Sequence, residues 1–360
     1  MKWLSQVRSL VATGALFQPQ ELLRRARFHR EFAAVDKALF FHRYATILFL
    51  AQRHGLFDAL STETQAVASL AERIKLDVEP VETMLRILES QGWVDRSLRG
   101  VKLTAFGELF LNDETAYSGR PMLELMGEFA NAYPQVEDAL RTGVTPAALD
   151  VQNTNGSYRL FLSAVNNYLY WAGHELLQKA TLPNIRSCIV GSMGVSFSAQ
   201  LLRLFPAAKV TYGCLEHLVA EIPQLCQHYE VPPARITSTH THGGDPQADE
   251  WGDESFDLVF LTRKMIVEPE SEFGLRFARK AFDVLNPGGA VILWETVHPN
   301  RGKTPLPCAM EAVFDLTASP KAPSRTKKCF ERLLSDVGFS NIEVVSCLGG
   351  QTSFVVGTKA

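Results

Sequence analysis

The residues whose types and spacing suit chemistry gather around the stretch SCIVGSMGVSFSAQLLRLFP, which starts at Ser187 and ends at Pro206. A short apolar run, a turn holding Gly191 and Gly194, and an amphipathic stretch follow one another there. An open α/β sheet cradles a nucleotide-like cofactor with that order of strand, glycine turn and helix, because glycine lets the backbone approach a ligand with no Cβ between them. Ser192, Met193 and Val195 crowd the same turn, so the layout is that of a cofactor site with altered chemistry. Cys214 closes the next strand, and Glu216, two residues on, faces the same way if the chain stays extended. His242 and Asp245 follow a third strand, Lys264, Met265 and Ile266 a fourth, and Glu295 closes a fifth in LWETVHP.

Each of these groups has a plainer reading beside the chemical one. His240 and His242 share one strand face near Asp245, and with His217 or His298 they would make a metal set. Paired strand histidines more often mark a polar sheet edge, and no metal is expected. Cys214 stands where a nucleophile could, but no base is identifiable beside it, so it reads as a small buried hydrophobe. Lys264 with Arg263 offers charge to an anionic group, or is a solvated loop charge.

The elements that must position these residues alternate. AKVTYGCL, ARITSTHT, SFDLVFLT and AVILWETV read as strands, separated by the helices HLVAEIPQLCQHYEV and FGLRFARKAFDVLNPGG, the latter stopping at glycine. After the helix KKCFERLLSDVGF come NIEVVSCL and TSFVVGTKA, which look antiparallel. Such alternation predicts a mostly parallel twisted sheet covered on both faces, with ligands beyond the carboxyl ends of its strands. Upstream, residues 35–60 form a nearly all-apolar helix that must be buried in a core or against a second subunit. SLAERIKL, VEPVETMLRILESQGWV and a hairpin in RSLRGVKLTAFGELFL make a winged-helix shape. Its would-be recognition helix carries Glu79, Glu82 and Glu89 against Arg86 alone, so no nucleic acid is expected. Phe129, Tyr133, Phe161 and Tyr170, with Met265 and Met310, are the candidate lining of a substrate pocket, against the plainer reading of ordinary core.

At 360 residues and a net charge of −3, the chain is long enough for two cores and has no global polyanion-binding field. Six scattered cysteines without a C-x-x-C pair fit reduced thiols and a cytoplasmic setting. No apolar run approaches the roughly 20 residues that span a bilayer. Residues 1–30 are basic and amphipathic, and read as a helical arm on a partner subunit in preference to a membrane-surface anchor. The expected division is an arm over 1–34, a winged-helix dimerisation domain over 35–150, and an α/β domain with the parallel sheet over 151–360.

The order of GLFDALS, SLAERI, VETMLRILESQGWV, KLTAFGELFL, LLRLFPAAKVTYGCLEHLV, FDLVFL, VLNPGGAVILWETVHP and SRTKKCFERLLSDVGF resembles the class I S-adenosylmethionine-dependent O-methyltransferases of small-molecule metabolism. The resemblance implies an α/β fold with a Rossmann-like, mostly parallel seven-stranded sheet, a homodimer through the N-terminal helices, an apolar or aromatic small-molecule substrate, and S-adenosylmethionine as cofactor. Carried over residue by residue, it implies a cofactor site at Gly191, Ser192, Met193, Gly194, Cys214, Glu216, His242 and Asp245. The family's loop acid falls on Ile189, two of its glycines on Met193 and Val195, its ribose-binding acid on Cys214, and its catalytic His on Ile266. Isoleucine takes no proton, which leaves Lys264 and Glu295 as catalytic candidates. The expectation is therefore a scaffold kept while its ordinary base-assisted methyl transfer is lost. A methyltransferase with a rebuilt cofactor pocket and a catalytically silent partner subunit are the two alternatives.

Overall fold

The computed structural model describes residues 39–130, 134–142, 155–214, 216–240, 255–262, 272–300, 304–306, 308–310 and 325–360, with Val35 and Trp251. The expected arm over 1–34 lies outside them, as do Tyr133, His242, Asp245, Lys264, Met265 and Ile266. Of Ser192, Cys214, Glu216, His217 and His240, only the backbone is described.

The N-terminal part begins with α1 over residues 39–53 and the short α2, Leu56–Ala59. Next come α3, Val67–Arg73, and α4, Val78–Ser90. Asp77 starts α4 by accepting a hydrogen bond from the Glu79 backbone N–H at 3.0 Å. Val81, Met84, Leu85 and Leu88, spaced three and four apart, bury one face of the helix. Strands β1, Val94–Ser97, and β2, Gly100–Leu103, form an antiparallel hairpin. Arg96 on this hairpin pairs with Glu82 and Glu89 of α4. The hairpin is shorter than the sequence pattern suggests. Thr104 accepts from the Gly107 N–H at 2.9 Å and starts α5, Ala105–Leu111, where a returning strand was expected.

Helices α6, Arg120–Ala130, and α7, Pro134–Thr142, lead to α8, Asn155–Lys179. The sheet then builds as β3, Ser187–Gly191; α9, Val195–Leu204; β4, Lys209–Cys214; α10, Ile222–His228; β5, Ile236–His240; β6, Phe256–Leu261; and α11, Glu272–Val284. It closes with β7, Leu285–Glu295; α12, Lys327–Val337; β8, Phe339–Cys347; and β9, Thr352–Lys359. Its seven strands run in the order β5-β4-β3-β6-β7-β9-β8, parallel except at β9, which is antiparallel to both neighbours. Strand order reverses between the parallel neighbours β3 and β6, the switch point where open α/β sheets place ligands.

Alternation along the strands splits the core in two. Cys188 and Val190 face α8, α9 and α10, while Ile189 faces α11 and α12 together with Val259 and Val291. Helix α11 ends before the expected glycine stop. The Lys359 ammonium donates to the carbonyls of Phe282 and Leu285, both at 2.7 Å, and Pro287 brings no N–H with which to extend a helix. NPGG is therefore drawn into β7. Helix α1 leaves Leu39 and Phe40 exposed on the single chain, at 69% and 52%. Among the described residues no helix is long and apolar enough to cross a membrane.

Candidate functional site

The bend between β3 and α9 is one tight 3-10 turn, Ser192–Gly194. Gly194 is fixed by packing beneath it: a Cβ there would stand 2.3 Å from Val190 Cγ1 and 3.2 Å from the Phe260 ring. Phe260 in turn stacks on Phe197 of α9 with ring centres 4.2 Å apart. A glycine at this position offers no side chain to cap α9, so the cap comes from another helix. Asn166 of α8, wholly buried, accepts from the Ser196 N–H at 3.0 Å and donates to the Leu162 carbonyl at 3.0 Å. The pair of asparagines in the middle of apolar α8 was the available signal for this role, and the motif reading passed over it.

The larger side chains of the bend are spent on the same contact. Met193 is buried against Leu162, with Phe161 and Val165 packed alongside. Val195 turns into the core under α9, and Ile189 into the core on the opposite face of the sheet. At the switch point the described residues Ile189, Gly191, Gly213, Trp251, Phe260 and Leu261 line a crevice of about 10 Å³. Among the described residues, Ile189 offers the bend no carboxylate and Met193 is packed against Leu162, which argues against the cofactor in the position the resemblance implies. One observation runs the other way. The Trp251 indole N–H is buried and has no hydrogen-bond acceptor, and Trp251 lines this crevice, where Gly191 and Gly213 pair across β3 and β4.

The other candidates divide. Phe129 and Phe161 meet in one cluster with Leu125 and Ala164, joined to Met193 through Phe161. Tyr170 lies apart from them, its hydroxyl accepting from Arg203 at 2.8 Å and its ring stacked on Tyr229 at 5.8 Å. Met310 is exposed on the surface. Glu295 is buried at the carboxyl end of β7, 3.9 Å from the guanidinium of the equally buried Arg325. Five described cysteines are buried and in no disulfide, and burial pushes the Cys226 and Cys347 thiols up to about 11, so these two are protonated at neutral pH and poor nucleophiles. Among the described residues no group of His, Cys, Asp and Glu could hold a metal ion.

If Gly194 is a packing glycine, Gly194→Ala lowers stability with no ligand present. Urea unfolding is expected to show a loss of about 1–3 kcal/mol, the cost of overpacking a close-packed core. Unchanged stability would mean that the residue is reserved for a ligand.

Comparison with known proteins bears on the whole scaffold. A human protein described as a probable bifunctional dTTP/UTP pyrophosphatase/methyltransferase is 22% identical over 327 residues, covering 87% of this chain and 51% of its own. The chain thus spans about half the length of that relative. Human N-acetylserotonin methyltransferase, solved in complex with S-adenosylmethionine, superposes with a TM-score of 0.78 at 19% identity, over 92% of this chain and 98% of its own. The pyocyanin biosynthetic protein PhzM gives 0.74 at 20%, over 92% and 99%. CalO1, a methyltransferase of calicheamicin biosynthesis with S-adenosylhomocysteine bound, gives 0.70 at 19%, over 92% and 98%. At these identities the superpositions speak for the fold, and residues 141–340, more than half of the sequence, match the O-methyltransferase domain profile. The chain belongs to the O-methyltransferase domain family.

Proposed function

We propose that this chain serves small-molecule biosynthesis on the O-methyltransferase scaffold without the family's ordinary base-assisted methyl transfer. The burial of Met193 against Leu162 in the bend carries this reading, because it commits to packing a bulky side chain at a position where the family has a glycine. Ile189 at the loop-acid position and Ile266 at the base position support it. The first cannot pair with an amino group, and the second cannot accept the proton of a phenol or enol. PhzM and CalO1 are named for pyocyanin and calicheamicin biosynthesis, which supports the small-molecule setting. The cluster of Phe129 and Phe161, with Met122 and Met126 packed against it, suits an apolar or aromatic molecule.

A second reading has one observation in its favour. The buried, acceptor-less indole N–H of Trp251 at the switch point suits a polar ligand atom, as in a true S-adenosylmethionine enzyme with a rebuilt pocket. Calorimetric titration of the full chain separates the two. The first reading expects no heat and no rise in melting temperature with millimolar S-adenosylmethionine, since any ligand of the folded form must stabilise it. Saturable binding with a matching rise in melting temperature establishes the second.

We also infer that a second copy of the chain covers the exposed Leu39 and Phe40 of α1. Light scattering is expected to give the mass of two chains, falling to one chain in Phe40→Asp; a wild-type mass of one chain refutes the dimer.

A further inference from the structure

Away from the bend, a cavity of about 340 Å³ opens where the N-terminal part meets the Rossmann-like part. Its walls come from α8 through Arg159, Ser163 and Asn167, from the start and exposed side of α10 through Glu221 and His228, and from Asp113 in the segment before α6. Both its volume and its position between two packed units are those of a small-molecule pocket. We propose that this cavity binds an organic ammonium compound with an apolar body.

Hydrogen-bond accounting finds open acceptors on the walls. Several of the wall donors are committed within the protein. Arg159 gives Nε at 3.0 Å and Nη2 at 2.5 Å to the same Glu221 oxygen. The Asn167 amide donates to the Ser118 carbonyl at 2.9 Å, and the Tyr229 hydroxyl donates to the Asn167 carbonyl oxygen. The acceptors are less committed. Both Arg159 bonds fall on Oε1 of Glu221, which leaves Oε2 for a ligand. His228 lies on the same wall, and a neutral imidazole keeps one nitrogen as an acceptor.

Charge points the same way. Asp113 at 2.9 Å and Asp58 at 2.7 Å share the single guanidinium of Arg120, so that trio carries net negative charge. Arg159 and Glu221 cancel one another. Burial holds the pKa of His228 below its ordinary value of 6.5 despite nearby Asp113, so the imidazole adds no positive charge at neutral pH. The cavity therefore presents excess negative charge and open acceptors, and an ammonium group with two or three N–H donors satisfies both. Pro121, Leu162 and Leu225 supply apolar wall for the rest of the molecule. Leu162 also packs on Met193, so an occupant would lie one side chain behind the bend.

The test uses phenethylamine and its uncharged N-acetyl derivative, titrated into the full chain by calorimetry and ligand-observed NMR. Phenethylamine is expected to bind at one site in the low millimolar range or tighter, and the N-acetyl derivative about tenfold more weakly or not at all. Ser163→Phe, which fills the cavity, should abolish binding, and Glu221→Gln, which removes one charge from the rim, should weaken it by about tenfold. Melting temperatures of both variants report whether they fold, and Glu221→Gln keeps the test decisive if Ser163→Phe does not. No binding of phenethylamine to the wild type, equal binding of the two compounds, or binding unaffected by both substitutions overturns the proposal.

Discussion

The seat of Met193 between the bend and α8 is the contact on which the rest of the site depends. Strand β3 must turn into α9 within three residues, and Val190 and Phe260 press so closely under Gly194 that no side chain fits there. A helix that starts on a bare glycine leaves its first amides without a cap. Asn166 supplies the oxygen from α8, and the same helix presents Leu162 and Phe161 to Met193. A polar and an apolar contact, one turn apart on α8, thereby fix both the backbone and the side chain of the bend.

Other features follow from this arrangement. With Met193 directed at α8 and Ile189 buried on the far side of the sheet, neither offers a polar atom to the switch point. What remains there is narrow, apolar and edged by one unsatisfied indole N–H. Helix α8 also anchors the N-terminal part, since Asn167 reaches the Ser118 carbonyl at 2.9 Å and the Trp171 indole reaches the Tyr117 carbonyl at 3.2 Å. One helix thus touches the bend, the apolar cluster around Phe129 and the cavity beside α10. A change in how the N-terminal part sits would be felt at all three.

The sheet was legible in the sequence because its strands are short apolar runs separated by amphipathic helices, and the period changes from 2 to 3.6 at each junction. The two-stranded pairing of β1 and β2 was legible as a hairpin. What local pattern could not show was competition from distant residues. Lys359 is distant in sequence from α11, yet it takes the Phe282 carbonyl near the end of that helix and the Leu285 carbonyl that opens β7. Thr104 ended the hairpin by capping a helix where alternation alone suggested a strand. At the site, Phe161 and Tyr170 looked like one aromatic stripe. Nine residues at about 100° each put them on opposite sides of α8, so one meets Met193 and the other meets Arg203. The loss of polar chemistry at Ile189 was plain from the sequence, whereas the use of its side chain in the α11 and α12 core was not.

The most direct measurement follows the Met193 side chain itself. In protein labelled with ¹³C at the methionine methyl groups, with Met193 assigned by Met193→Leu, its methyl should show nuclear Overhauser contacts to Leu162 and Phe161. Those contacts and the chemical shift should be unchanged by millimolar S-adenosylhomocysteine. A saturable shift with loss of the Leu162 contact would show the methionine leaving its seat to admit the ligand, and would contradict the account.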